Sequence, residues 1–330
     1  MTILVTGGAG YIGSHMVLQL CDAGERVVVL DDLSTGFREA IDQRGKLVCG
    51  DVGDAALVSS LLGDHAIESV FHFAGSVVVP ESVADPLKYY TNNTDATLTL
   101  IRACAAAKVK HFVFSSTAAV YAPNDGSPVL ESDPVVPATP YGRSKLCSEM
   151  MLTDIAGVSG IQAAILRYFN VSGADPEGRV GQSTAGATHL LKVACEVATG
   201  QREALHVYGT DYDTPDGTGV RDFIHVTDLV DAHYRALLHF RAGGKSLIAN
   251  VGYGRGASVR ELAASVSRQS GTTIKLVEEP RREGDLGQVI AAATRAREIL
   301  GWVPRHDSLD TIVAHALRWE KRLAGRPEAA

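Results

Sequence analysis

Paired cysteines and long apolar runs are both scarce in this sequence. The five cysteines are spread along the 330 residues without any Cys-x-x-Cys pair, so we expect buried thiols and no redox motif or zinc ribbon. No apolar stretch is long enough to span a bilayer, and the chain opens directly into Ile3, Leu4 and Val5 without a basic leader. We therefore expect a cytoplasmic protein with no membrane partner.

Positive charge is scarce as well. The chain carries 31 Lys and Arg against 38 Asp and Glu, for a formal charge of −7, which argues against a nucleic-acid partner. The 11 histidines are scattered, and since no cluster has metal-ligand spacing we expect no metal site. An anionic substrate would have to be held by local arginines and helix N-termini.

The first half of the chain alternates short, continuously apolar runs with helical patterns. Such runs are typical of strands buried on both faces. The predicted strands span residues 3–6, 26–30, 46–49, 69–73, 111–115 and 161–166. The predicted helices between them span residues 12–23, 55–62, 87–107 and 141–155. This alternation predicts an α/β fold with a doubly wound parallel Rossmann sheet.

After about residue 172 the pattern changes to Gly- and Pro-containing loops with helices near 187–199, 228–240, 259–268 and 309–323. We therefore expect a Rossmann domain over residues 1–171 and a smaller C-terminal, substrate-binding lobe over residues 172–330. Segment 246–251 is expected to return to the first sheet.

A glycine-rich turn follows the first predicted strand and begins the first helix. Gly7 allows the tight turn, Gly10 lets the backbone approach a diphosphate, and Gly13 allows close packing of helix on strand. Tyr11 and Ile12 lie within the same motif. In this strand–turn–helix context the pattern predicts a dinucleotide at the positive end of the helix.

The ends of the next three predicted strands supply further candidate cofactor contacts. Asp31 ends the second strand, where a carboxylate binds the ribose hydroxyls and repels a 2′-phosphate, so it favours NAD over NADP. The remaining candidates, at the ends of the third and fourth strands, are Asp51, Val52, Phe73, Ala74 and Gly75.

Three residues form a candidate catalytic group. Tyr141 and Lys145 lie one turn apart on a predicted helix, and Thr117 follows an apolar strand. A tyrosine has a pKa of about 10, and a nearby ammonium together with a positive nicotinamide would favour the phenolate. We therefore expect Tyr141 to act as a base, with Thr117 relaying the proton of a substrate hydroxyl.

These features, combined with several longer motifs, resemble the extended short-chain dehydrogenase/reductase superfamily, and within it the UDP-glucose 4-epimerase family. The resemblance covers nearly the whole chain. It rests on TGGAGYIGSH, FHFAG, YYTNN, FSSTAAVY, LRYFN, GTGVRDFIHV and RREGD.

The resemblance implies a role for each matching position. Further cofactor contacts would be Asn92, Ser115 and Tyr168, besides Tyr141 and Lys145. The nucleotide-sugar pocket would contain Thr117, Phe169, Asn170, His189, Leu190, Tyr208, Arg221, Arg282, Asp285 and Val289. The implied reaction interconverts UDP-glucose and UDP-galactose by transient oxidation at C4 to a 4-keto sugar, with NAD as a retained hydride carrier. The implied assembly is a homodimer through helices 87–107 and 141–155.

Three departures from the family pattern bear on these expectations. Val77 stands where the family usually has a lysine near the cofactor, so cofactor retention or pH dependence is expected to differ. The family's Asn-Asn-Leu is Thr188-His189-Leu190 here. Val289 replaces a tyrosine found in some members, and the smaller side chain leaves room for the N-acetyl group of UDP-N-acetylglucosamine or UDP-N-acetylgalactosamine.

Other functions fit parts of the pattern. A 4-epimerase acting on UDP-xylose and UDP-arabinose, or on a UDP-uronic acid, would share the same motifs. A 4,6-dehydratase would need Asp-Glu after the catalytic threonine, and this chain has Ala118 and Ala119. An NAD-binding regulatory protein would not need both Tyr141 and Lys145.

Overall fold

A parallel sheet forms the centre of the protein, whose computed structural model describes residues 1–123, 126–282 and 285–325. The strands are β1 (Thr2–Thr6), β2 (Arg26–Asp31), β3 (Lys46–Cys49), β4 (Ile67–His72), β5 (His111–Thr117), β6 (Gln162–Tyr168), β7 (Asn170–Ser172), β8 (Leu205–Tyr208), β9 (Val220–Arg221), β10 (Phe223–His225), β11 (Leu247–Val251), β12 (Ala257–Ser258), β13 (Leu276–Glu279) and β14 (Gln288–Val289). The α-helices are α1 (Tyr11–Asp22), α2 (Ala55–Asp64), α3 (Val79–Ala84), α4 (Pro86–Tyr89), α5 (Ala96–Ala106), α6 (Pro140–Ser159), α7 (Leu190–Ala198), α8 (Val226–Arg241), α9 (Val259–Ser270), α10 (Thr294–Leu300) and α11 (Leu309–Ala324).

Seven of these strands form the main sheet in the order β11-β6-β5-β4-β1-β2-β3. All neighbouring pairs are parallel. The order reverses direction between β1 and β4, the switch point at which open α/β sheets bind ligands. The predicted doubly wound Rossmann sheet is confirmed, and segment 247–251 joins it as β11.

Alternate residues of each central strand enter two separate cores. Ile3 and Val5 of β1 pack with α1 and α8, where Met16 and Leu229 are buried. Leu4, between them, packs on the other face with side chains from α2, α5 and α6. Burial on both faces explains why the strands read as continuous apolar runs.

The predicted helix 87–107 is interrupted in the structure. Asp85 leaves the helical conformation at φ −135°, and its side chain accepts a hydrogen bond from the Lys88 N–H at the start of α4. The chain then forms a π-helical turn over Tyr90–Asp95 before α5 begins. Turns of this kind are often found at functional sites, and this one buries Asn93.

Three small sheets arise mainly from the C-terminal half. Strand β7 pairs with β10, β9 lies between β12 and β14, and β8 pairs with β13. No helix in the described ranges is both long enough and apolar enough to cross a membrane.

Candidate functional site

The glycine-rich turn has the geometry that the motif predicts. Gly7 has φ +68°, and a Cβ there would lie 2.5 Å from the Ala74 nitrogen. A Cβ on Gly13 would lie 2.1 Å from the Gly7 oxygen. Gly10 is the N-cap of α1, and among the described residues no side chain caps this helix. The first N–H groups of α1 are therefore available to a phosphate.

Asp31 lies beside this turn at the end of β2. Its Oδ2 accepts a hydrogen bond from the Ala9 N–H at 2.8 Å, and its Oδ1 accepts one from the Leu33 N–H at 2.9 Å. Burial raises the pKa of this carboxyl because it disfavours the charged form. Ribose hydroxyls could donate to its remaining lone pairs, whereas a 2′-phosphate would meet a negative group.

The other predicted strand-end contacts also lie along this edge of the sheet. Val52 is buried after β3, and the neighbouring Asp51 is exposed and accepts a hydrogen bond from the Gly53 N–H at 2.7 Å. The Phe73 N–H donates to the Thr6 oxygen at 3.0 Å, which holds Ala74 against Gly7. These contacts bring the ends of β1 and β4 together at the switch point.

The two asparagines of the π-helical turn have different environments. Asn92 is exposed and donates to the Ser76 Oγ at 3.1 Å. Asn93 is buried, and its Oδ1 accepts from the Ser76 N–H at 2.7 Å while its Nδ2 donates to the Ser144 Oγ at 3.0 Å. Asn93 therefore fixes the loop after Gly75 to α6, a role that the sequence analysis did not predict.

The three candidate catalytic residues are brought together. Thr139 caps α6 by accepting from the Gly142 N–H at 3.3 Å, and a Cβ on Gly142 would lie 2.3 Å from the Ala119 oxygen. The start of α6 is thus pressed against the turn that follows Thr117. As a result, the Tyr141 hydroxyl lies close enough to the Thr117 side chain for Thr117 to lower its pKa.

The electrostatics of this group differ from the expectation in one respect. Burial raises the pKa of Tyr141, and the nearby Thr117 side chain only partly opposes this. Burial also lowers the pKa of Lys145 to about 7, against the opposing charge of Glu149. Its Nζ lies 4.2 Å from the centre of the Phe114 ring. Because the protein groups alone do not favour the phenolate, the remaining source of stabilisation is the positive nicotinamide ring.

Tyr168 and Ser115 extend this group on the neighbouring strand. The Ser115 Oγ donates to the Tyr168 hydroxyl at 2.9 Å. Burial raises the pKa of Tyr168, and the proximity of Tyr141 raises it further. Five predicted cofactor and catalytic side chains therefore converge at the ends of β5 and β6.

The predicted nucleotide-sugar residues form two arginine groups in the C-terminal half, one around Arg221 and Val289 and the other around Arg282 and Tyr208. Arg221 of β9 lies opposite Val289 of β14 in the strand register. Burial lowers the pKa of the Arg221 guanidinium, and the charge of Asp285 opposes this shift. The Arg282 guanidinium carbon lies 3.6 Å from the centre of the Tyr208 ring. Residues 283 and 284 of the RREGD motif lie outside the described residues.

Two further residues belong to this region and were not predicted. Arg281 stacks over Tyr212 at 4.3 Å and donates to the Asp211 carboxylate at 2.7 Å. Tyr212 is also close enough to Asp285 and Arg221 for their charges to affect its pKa, which burial raises. The only signal in the sequence was the position of Arg281 within an already recognised motif.

The remaining predicted pocket residues are more widely spread. Phe169 is buried, and the Asn170 N–H donates to the Asp222 oxygen at 3.0 Å, next to Arg221. His189 is exposed before α7 and hydrogen-bonds to Gln182, while Leu190 packs against the core. Within the described ranges, no hydrogen bond or ion pair joins His189 or Leu190 to the arginine groups.

A short backbone bridge joins the two halves of the site. The Val129 N–H donates to the Ile290 oxygen at 2.8 Å, and the Ala292 N–H donates to the Val129 oxygen at 2.8 Å. The segment that contains Val289 is thereby fixed to the loop that follows Thr117. The catalytic group and the arginine groups therefore belong to one continuous region.

The fold and these side chains define a dinucleotide-binding α/β protein with a Tyr–Lys pair beside the ends of β5 and β6. Residues 3–252 match the NAD dependent epimerase/dehydratase family. The UDP-glucose 4-epimerase of Azospirillum brasilense is 56% identical over 97% of this chain and 92% of its own length.

Solved structures agree with this match. The UDP-glucose 4-epimerase of Brucella ovis in complex with NAD has a TM-score of 0.94 and 42% identity, covering 97% of this chain and 98% of that one. The enzyme of Bifidobacterium longum in complex with NAD+ and UDP has a TM-score of 0.92 and 36% identity, covering 98% of both chains. The chain belongs to the NAD dependent epimerase/dehydratase family, and the resemblance inferred from its motifs is confirmed.

Proposed function

We propose that this protein interconverts UDP-glucose and UDP-galactose with NAD as a retained cofactor. The observation that carries the proposal is the convergence of Thr117, at the end of β5, with Tyr141 and Lys145 of α6, in a region fixed to the arginine groups through the bridge at Val129. The two residues after Thr117 are alanines, so no acid and base follow it to eliminate water. Near full-length relatives that are UDP-glucose 4-epimerases support the same function.

The residues present fit NAD. The uncapped start of α1 would hold the diphosphate, Asp31 the adenosine ribose, and Lys145 and Tyr168 the nicotinamide half. Bound NAD supplies a hydride acceptor that can return the hydride to either face of the sugar carbon. Strand ends at Val52, Phe73 and Ala74 would line the remainder of the cofactor.

Tyr141 would take the proton of the sugar C4 hydroxyl by way of the Thr117 hydroxyl, and return it at the end of the cycle. With NAD bound, the ammonium of Lys145 and the positive nicotinamide would together stabilise the phenolate against the effect of burial. The buried setting of both side chains excludes bulk water from the proton transfer and strengthens these charge interactions.

The nucleotide sugar would lie across the arginine groups. Arg221 and Arg282 are suited to the diphosphate because a guanidinium binds phosphate oxygens in two-point geometry. Tyr208, Phe169, Asn170 and Asp285 would line the nucleotide, with His189 and Leu190 at its edge. Val289 would leave room beside the sugar for an N-acetyl group.

We further propose that two parts of the chain bind different ligands and that the protein forms a homodimer. Residues 1–171 would hold NAD and residues 172–330 the nucleotide sugar, with β11 returned to the first sheet. The exposed apolar side chains of Val83, Leu87 and Met150 on α3, α4 and α6 would be covered in a homodimer. The five unpaired cysteines suit a reducing compartment such as the cytoplasm.

The test is proton NMR of the purified protein with UDP-glucose and no added NAD. Appearance of UDP-galactose up to a stable ratio would support both the reaction and a retained cofactor. Conversion that occurs only after NAD is added would mean that the purified protein loses its cofactor. Val77→Lys should then restore conversion without added NAD. Failure under both conditions, with turnover of UDP-xylose or a UDP-uronic acid instead, would overturn the proposed substrate.

A further inference from the structure

A buried ion pair lies next to the catalytic group and has no part in the reaction proposed above. Glu149 of α6 and Arg167 of β6 have side chains only 3% and 5% exposed. The Arg167 Nε donates to both carboxylate oxygens of Glu149, at 3.0 and 3.2 Å. Removing two charges from water is costly and is offset only by good geometry, so a role beyond simple packing is expected.

The carboxylate of Glu149 connects three elements that carry catalytic residues. Glu149 follows Lys145 by one helical turn on α6. It accepts a hydrogen bond from the Ser116 Oγ, and Ser116 immediately precedes Thr117 on β5. Ser116 also lies opposite Arg167 in the register of β5 and β6. One carboxylate therefore fixes the position of α6 relative to the ends of both strands.

Residues outside α6 also fix the orientation of the Arg167 side chain. The Arg167 guanidinium stacks over the Tyr121 ring, 4.9 Å from its centre, and its Nη1 donates to the Tyr121 hydroxyl at 3.1 Å. That hydroxyl in turn donates to the Asn250 Oδ1 at 2.6 Å. The positive member is thus held by residues outside α6, while the negative member lies on the same helix as Lys145.

The buried ammonium of Lys145 requires a negative charge nearby to offset the effect of burial. Within residues 1–123, 126–282 and 285–325, no carboxylate forms an ion pair with its Nζ, which lies against the Phe114 ring. The groups whose charges interact with Lys145 are Glu149, which favours the ammonium, and His72, which is buried and whose own pKa is lowered to about 3. His72 is therefore neutral near pH 7, and Glu149 is the negative charge that opposes the effect of burial.

We propose that Glu149 is a positioning residue: anchored by Arg167 and Ser116, its carboxylate holds α6 in register with β5 and β6 and places a negative charge one helical turn from Lys145. The proposed function is needed only for the activity part of the test. The ammonium is lost as pH rises, so removing the charge of Glu149 moves that loss to lower pH.

The test is a carbon NMR titration of the holoenzyme labelled with [13Cε]lysine, with the Lys145 signal assigned by its absence in Lys145→Met. The principal variant is Glu149→Gln with Arg167→Met, which removes both charges at similar volume. A second charge-free pair, Glu149→Gln with Arg167→Gln, serves if the first does not fold. Controls are Glu149→Asp, which keeps the charge, and Ser116→Ala, which removes one hydrogen bond.

We expect the Lys145 titration midpoint to fall by roughly one pH unit in a double variant that lacks both charges. Glu149→Asp and Ser116→Ala should keep it close to the wild-type value. The alkaline limb of kcat/KM for UDP-glucose should move in the same direction, with about tenfold lower activity above both midpoints.

A charge-free pair that melts at lower temperature but keeps the wild-type midpoint would overturn the proposal and leave Glu149 with a purely structural role. If the wild type does not convert UDP-glucose, the proposed function fails. The NMR midpoints still decide the role of Glu149 in that case.

Discussion

Gly7→Ala should disrupt the cofactor turn far more than its small added volume implies. The new Cβ would lie 2.5 Å from the Ala74 nitrogen and 2.8 Å from the Phe73 carbonyl carbon. Both are backbone atoms, so neither can move aside as a flexible side chain would. The left-handed φ of +68° costs a non-glycine residue about 1–2 kcal/mol, and overpacking typically adds about 1–3 kcal/mol. We expect a total loss of roughly 2–5 kcal/mol.

Gly24→Ala is the matched control, because Gly24 has a similar φ of +77° but no atom within 4 Å of an added Cβ. It should lose only the backbone cost of about 1–2 kcal/mol. Urea unfolding gives both free energies, and extraction of bound nucleotide gives the NAD content, which should fall only in Gly7→Ala. Equal losses of stability and equal NAD content in the two variants would refute the steric argument.

Three other predictions address the chemistry, the substrate and the response to acid. Tyr141→Phe should lower kcat by a factor of about 10²–10⁴ with unchanged NAD content in extracts; retention of most of the activity would exclude it as the base. Val289→Tyr should abolish turnover of UDP-N-acetylglucosamine and spare UDP-glucose, and an inactive wild type with the acetylated sugar would contradict the spacing argument. Burial lowers the pKa of His15 to about 4, so its contribution to stability is complete above the unfolded value of about 6.5 and is lost as pH falls towards 4. His15→Gln should therefore flatten the fall in unfolding free energy between those values by up to about 1.4 kcal/mol per pH unit, as measured by urea unfolding at a series of pH values against the wild type.

The main sheet could be predicted because its strands are buried on both faces. The exceptions lie at strand ends that carry functional polar residues. The apolar pattern predicted that the fifth strand ends at Ser115, yet β5 continues through Ser116 to Thr117 because the ladder with β6 continues. Apolar periodicity therefore underestimates strands that end in a site.

The helix predicted over residues 87–107 forms, but the sequence pattern did not reveal the π-helical turn within it. That turn contains Asn93, which makes hydrogen bonds with Ser76 and Ser144. These partners are distant in sequence, and no periodicity encodes them.

Residues within motifs were brought together more reliably than residues outside them. Thr117, Tyr141 and Lys145 converge as expected, since motif spacing fixes which helix and strand meet. Glu149 and Tyr212 lie outside the recognised motifs, and Arg167 lies within LRYFN without a role being predicted for it. Their importance depends on burial and tertiary partners, which only the structure supplies.

The position of β11 has a consequence for synthesis and truncation. Because residues 247–251 pair with β6, a chain ending near residue 171 would expose the hydrogen-bonding edge of a largely apolar strand, a template for aggregation. The proposed boundary between cofactor and substrate functions is therefore not a boundary of folding. On the ribosome, the sheet can close only after more than two thirds of the protein has emerged.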